Sequence, residues 1–186
     1  VLRGASLGMT TTHALPTTPL RGALGLARKA LSEDIVPTLT SELPGGGKVR
    51  KPQTVPNPDA IFMPACVGTM FGTEHACGTG VGGAVRELAA YAGLRLSTPA
   101  GVQELCCGTP WKSKGLAKGY EVMKDKLTSW IVQHTHHGRI PLVCDNVSCT
   151  EGIVVALKNA GVEGITVMDA TEWVATYVAP VLPPLA

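Results

Sequence analysis

The hydrophobic pattern changes character near residue 59, and short apolar runs alternate with helical periodicities from there on. Ala60-Ile61-Phe62-Met63, stopped by Pro64, reads as a buried strand. Residues 81–92 suit a helix closed at Gly93, and Leu94-Arg95-Leu96-Ser97 alternates as a second strand. Leu116, Tyr120, Met123, Leu127 and Ile131 recur at helical spacing within a helix expected over 113–134, where they are core positions. Residues 140–144 predict a third strand, 151–160 a helix closed by Gly161, and 165–168 a fourth strand. Asp169 then caps a further helix, with Glu172 three residues on. Strands alternating with helices imply βαβ units. The expected fold is α/β, a Rossmann-like three-layer sandwich around a mainly parallel sheet of about four strands.

The amino-terminal part lacks this regularity. Residues 1–22, rich in Thr, Gly and Pro, read as an extended lead-in. Residues 23–43 read as partly helical, with Leu24, Leu26, Leu31 and Ile35 available for packing. The stretch from Pro44 to Pro58 carries four prolines and the run Gly45-Gly46-Gly47, which is linker composition. The expected division is therefore a lead-in and linker over 1–58 and an α/β domain over 59–186.

Composition adds limits. The chain has 186 residues, 45% of them hydrophobic and only 4% aromatic, so its core must come from Ala, Val, Leu and Ile. A formal charge of +2 and no run of like charges give no footing for nucleic acid. No apolar stretch approaches the roughly 20 residues needed to span a bilayer. The chain begins at Val1 with no charged-then-apolar leader, so it is expected to be soluble and cut from something longer.

The six cysteines change the picture most. Disulfide-stapled domains are usually small and poor in core, whereas this chain has core to spare and two of its cysteines are adjacent. The spacing is Cys66, thirty-nine residues, Cys106-Cys107-Gly108, thirty-five residues, Cys144, four residues, Cys149. In a parallel sheet, sites gather at the carboxyl ends of strands. Cys66 follows the first expected strand, Cys106 and Cys107 lie beyond the second, and Cys144 ends the third. Distant thiols can therefore meet along one sheet edge, where soft thiolates suit an iron–sulfur cluster or zinc. Gly108, lacking a Cβ, permits a tight turn and close backbone approach. Cys149 is expected just before a helix, whose amino terminus favours a thiolate. Lys112 and Lys114 are candidates to offset negative charge at the site.

Other patterns read as structural. Cys77 lies outside the spacing and reads as a free or packed thiol. His134, His136 and His137 read as an exposed helix end. Gly78-Thr79-Gly80-Val81-Gly82-Gly83 contains GxGxxG, but it does not follow a strand directly and no acidic residue ends the second strand. It reads as a small-residue helix face packed on the sheet.

Pro64-Ala65-Cys66, the segment Leu105-Cys106-Cys107-Gly108-Thr109-Pro110-Trp111-Lys112-Ser113-Lys114-Gly115, and Gly138 to Asp145 together resemble the CCG cysteine-rich family of heterodisulfide reductases and glycolate oxidases. The likeness covers about residues 60–175 and is closest to the iron–sulfur half of FAD-linked D-lactate dehydrogenases. It implies that Cys66, Cys106, Cys107, Cys144 and Cys149 bind an iron–sulfur cluster of the 4Fe-4S type, or zinc. It also implies an electron-transfer module whose FAD sits on a part of the protein not included in this chain. The implied partners are a flavin domain, a ferredoxin-like segment and a respiratory-chain acceptor, with no nucleic acid. The implied location is the cytoplasm, peripheral to the inner face of the membrane. By the same likeness the fragment alone does not oxidise a hydroxy acid. Zinc-stabilised docking and a heterodisulfide-type thiol site are the alternatives it leaves. Family members commonly carry two CCG repeats, and this chain has one.

Overall fold

The computed structural model describes residues 17–31, 45–72 and 79–182. The chain folds as two compact units, one of residues 1–49 with 67–77 and one of residues 50–66 with 78–186.

In the first unit, α1 (Thr17–Ala30) begins within the stretch expected to be extended. Leu26 and Leu31, expected to pack, are largely exposed, and Ile35 lies outside the described residues. A single helical turn, α2 (Val67–Met70), is met by the glycine run: Gly47 N donates to Thr69 O at 3.1 Å and Gly72 N to Gly45 O at 2.7 Å.

The second unit is an α/β sandwich. Four parallel strands, β1 (Ala60–Met63), β2 (Leu96–Ser97), β3 (Leu142–Cys144) and β4 (Val167–Asp169), lie in the order β2-β1-β3-β4. Between them run α3 (Gly80–Tyr91), a 3-10 turn (Val102–Glu104), α4 (Thr109–Ser113), α5 (Ala117–His134) and α6 (Val147–Asn159). After β4 come α7 (Ala170–Trp173) and a π-turn (Val174–Val178). Asp169 caps α7 as expected, its Oδ1 accepting from Thr171 N and Glu172 N at 2.7 and 2.9 Å.

Alternation along the strands builds two cores. Ile61, Met63, Leu142 and Cys144 pack with Leu127 and Ile131 of α5 and Ile153 of α6. Ala60, Phe62, Val143 and Met168 face the other way, toward Val85 and Ala89 of α3 and toward Trp173. Each large apolar side chain taken fully from water contributes about 1.5–3 kcal/mol. Because all four residues of β1 are buried, that strand reads as a continuous apolar run, as expected of a parallel sheet covered on both faces.

Several boundaries differ from expectation. Strands β2, β3 and β4 each start two residues later than their apolar runs, since ladder pairing with a neighbour, not hydrophobicity, defines them. The helix expected over 113–134 starts four residues later, at Ala117, because Gly115 at φ +69° separates it from α4, which ends at Ser113. The stretch expected as linker belongs to the sheet unit from Arg50 on, with Gln53 forming an antiparallel bridge to Thr98. Within the GxGxxG segment, a Cβ on Gly82 would stand 3.0 Å from Asp145 Oδ2 and 3.6 Å from the Phe62 ring.

The strand order places the site. The chain leaves β1 on one side to make β2 and returns to the other side to make β3. Doubly wound sheets of this order bind ligands in a crevice at the carboxyl ends of the strands where the connections diverge, here β1 and β3.

Candidate functional site

Five cysteines converge at that crevice. Cys66 follows β1 by three residues and Cys144 is the last residue of β3, in register with Met63 on one side and Asp169 on the other. Cys106 and Cys107 occupy the loop between the 3-10 turn and α4, and Cys149 sits in the first turn of α6. Cys107, Cys144 and Cys149 are buried, while Cys66 and Cys106 are half-buried. Cys149 thus lies inside the helix it was expected to precede. The side chain of Asn146 caps α6 by accepting from Cys149 N at 3.3 Å, so the helix begins four residues earlier than its apolar pattern suggests. Cys77 lies outside the described residues.

Cys107, Cys144 and Cys149 belong to one core cluster, with Cys106 packed against it. All five thiols are free. Their acidities depend on one another. The neighbouring Cys106 lowers Cys66 to about 7. Cys106, then Cys149, hold Cys107 well below the ordinary thiol range. Cys106 and Cys149 are pushed up, first by Cys107.

Local structure explains why the thiols meet. Gly108, at φ +86°, begins α4 in a conformation few L residues adopt, and a Cβ there would lie 2.9 Å from the Tyr120 ring. Met123 Sδ accepts from Cys106 N at 3.3 Å, anchoring the loop to α5. Cys107 Sγ shares a hydrogen bond with Thr109 Oγ1 at 3.4 Å. Gly152 lets α6 press against this loop, since a Cβ there would overlap Thr109 Oγ1 and stand 3.1 Å from Cys107 O.

Two charged residues tie the loops together, and neither is marked by the sequence pattern. Arg50 is buried and donates from Nη1 to Pro64 O at 3.0 Å and from Nη2 to Leu105 O at 2.7 Å, joining the approach to Cys66 to the approach to Cys106. Asp145 Oδ1 accepts from Ala65 N at 2.6 Å, joining the Cys66 loop to the end of β3. Burial raises the Asp145 carboxyl above its ordinary value, against the pull of that hydrogen bond. Lys112 and Lys114, the expected countercharges, are exposed. The cation whose charge acts on Cys66 is Arg50. A lone arginine in a proline-rich stretch carries no periodic signal, and its bridging of two loops is visible only in three dimensions.

Among the described residues, no group of three or more His, Cys, Asp or Glu side chains is arranged to hold a metal ion. His136 and His137 are exposed beyond the carboxyl end of α5, at φ +50° and +59°. Also among the described residues, no helix is long and apolar enough to cross a membrane. No family model, curated protein or solved structure matches the chain. The resemblance to CCG proteins thus stands on the quoted residues alone.

Proposed function

We propose that this chain is an iron–sulfur-binding electron-transfer module of a FAD-linked 2-hydroxy-acid dehydrogenase, with Cys66, Cys106, Cys107, Cys144 and Cys149 as its thiol ligands. The observation that carries the reading is the gathering of five free thiols at the carboxyl ends of β1 and β3, drawn from residues as distant as Cys66 and Cys149. Thiolates are the ligands of iron–sulfur clusters, and burial and hydrogen bonds to sulfur set their potentials. A structural zinc needs four donors about one point. Five free thiols exceed that set.

The protein's own contribution is positional and electrostatic. Asn146, Gly108 and Met123 fix the backbone that presents the thiols. The low acidity thresholds of Cys66 and Cys107 ready two of them for ligation. When bound, a cluster supplies one-electron chemistry, and the hydroxy acid is oxidised at a flavin elsewhere.

The adjacent free thiols Cys106 and Cys107 also favour a second reading, exchange with a substrate disulfide. There, two chain thiols would lose two electrons and two protons as the substrate disulfide is reduced to two thiols.

Anaerobic purification with iron and acid-labile sulfide analysis tests the first reading. Iron, sulfide and a visible absorption that bleaches on reduction are expected, and each should fall in Cys107→Ser and Cys149→Ser. Stoichiometric zinc without visible absorption overturns it. Loss of two thiols per added small-molecule disulfide, in iron-free protein, identifies the second.

A further inference from the structure

We propose that the groove between the carboxyl ends of α5 and α6 binds a phosphate monoester, with Arg139, His136 and His137 holding the phosphate and Val132 and Val162 receiving the organic body. This site is separate from the thiols and independent of the iron–sulfur reading. Helix α6 carries Cys149 in its first turn and ends at Ala160 on the groove, about 16 Å further along its axis.

The groove lies wholly within the sheet unit and has a volume of about 840 Å³, within the range of roughly 300–1,000 Å³ usual for small-molecule sites. Thr128 lines it with its hydroxyl already committed to Lys124 O at 2.9 Å. The other polar groups are those of Ser129, Gln133, His136, His137 and Arg139, and among the described residues no carboxylate lines the groove. Also among the described residues, the ion pairs join Arg95 to Asp59 and Lys124 to Glu121 and Asp125, so the Arg139 guanidinium has no carboxylate partner.

The backbone favours an anion as well. Helix carboxyl ends ordinarily present bare carbonyls, which favour cations. Here the chain itself answers them. Ile131 O accepts from Thr135 N, Val132 O from His137 N, and Thr135 O from Ile140 N, at 2.8, 2.9 and 3.0 Å. At the end of α6, Leu157 O accepts from Val162 N and Lys158 O from Gly161 N, at 3.0 and 3.1 Å. The turn that closes α5 achieves this with His136 and His137 both left-handed, at φ +50° and +59°, ahead of Gly138 at +87°. A Cβ on Gly138 would stand 2.1 Å from Gly164 O, so the neighbouring loop holds the turn in place. Strained residues held this way by their surroundings cluster at ligand sites.

The ligand class follows from the donors. A guanidinium is always charged, and its planar fork matches two oxygens of a phosphate. Two imidazole N–H donors beside it suit the remaining oxygens. The volume exceeds what a bare phosphate needs, and the apolar floor of Val132 and Val162 fits an organic body. The two imidazoles alone do not make a metal site, because no third His, Cys, Asp or Glu among the described residues joins them.

The test titrates the full chain, prepared anaerobically, with phenyl phosphate, benzoate and inorganic phosphate, reading the His136 and His137 ring signals by NMR. EDTA in every sample removes stray metal as a cause. Phenyl phosphate is expected to shift both rings and saturate, with inorganic phosphate weaker for want of a body. No saturation by phenyl phosphate overturns the proposal, and so does benzoate binding as tightly, since it shares the ring and lacks the phosphate. Arg139→Gln should weaken phenyl phosphate about tenfold or more, while Arg95→Gln, an exposed arginine elsewhere, should not. Equal loss in the two variants reduces the effect to general surface charge and overturns the site. His137→Gly should weaken binding about threefold without lowering the denaturant midpoint, because glycine accepts the left-handed turn. Undiminished binding in His137→Gly overturns the assignment of its imidazole.

Discussion

The two stretches of backbone that carry most of the thiols, Cys106–Thr109 and Cys144–Cys149, reach the same crevice by opposite means. The second is built from regular structure. Cys144 is locked by ladder pairing to β1 and β4, and Cys149 by a capped helix. The first has no ladder at all. It is a loop entered from a 3-10 turn and left through a left-handed glycine, held by a methionine sulfur, an arginine and the close approach of α6. Regular elements place a thiol through many shared backbone bonds, so few single changes dislodge it. An irregular loop concentrates the same task in a few positions that tolerate no added atom.

That contrast orders the effects of substitution. Gly108→Ala is expected to be the most damaging, combining a positive φ with overlap of the Tyr120 ring, at about 3 kcal/mol of stability. Denaturant unfolding would measure it, and a loss below about 1 kcal/mol would show that the loop is less constrained than its geometry implies. Gly152→Ala should follow at about 2 kcal/mol, by forcing α6 off the Cys107 loop. Adding Thr109→Ala should restore part of that loss, and strict additivity in the double mutant would deny that these two residues meet. On the regular side, Asn146→Ala should cost only about 1 kcal/mol, the worth of an amino-terminal cap, as read by the thermal midpoint. A larger loss there than at Gly108 would reverse the comparison.

The smallest expected effect lies away from the thiols. Burial, then the neighbouring His136, lowers the pKa of His134 below its ordinary value near 6.5. The unfolded chain therefore takes up a proton at a pH where the folded chain does not. Stability is retained above about pH 6.5 and declines as the pH falls through the lower folded value. His134→Gln should flatten this slope in pH-dependent unfolding, provided the edge-on contact with Trp130, 4.9 Å between ring centroids, is not itself the larger loss.

How legible these features are in the sequence follows from how local their causes are. β1 is readable because it is buried throughout and bounded by Pro64. The convergence of Cys66, Cys106 and Cys144 follows from the rule that parallel sheets gather ligands at strand carboxyl ends, which needs only element order. The start of α6 is missed because Val147 and Ser148 are exposed, and the apolar period becomes visible only further along. The break at Gly115 falls just before the apolar spacing begins at Leu116, so only the glycine marks it, as a recognised stop just past a helical turn. Arg50 and Asp145 are the least legible. Each acts through backbone groups far away in the chain, and nothing in their neighbours' periodicity marks them.

The order of the sheet has a practical corollary. Cys66 and Cys144 reach the same end of the sheet only when β1 lies beside β3, a pairing of segments some eighty residues apart, as the separation of Ala65 and Asp145 records. No short peptide around Cys106-Cys107-Gly108 reproduces the arrangement. Under the proposed iron–sulfur reading, colour and circular dichroism should therefore vanish along one curve in urea.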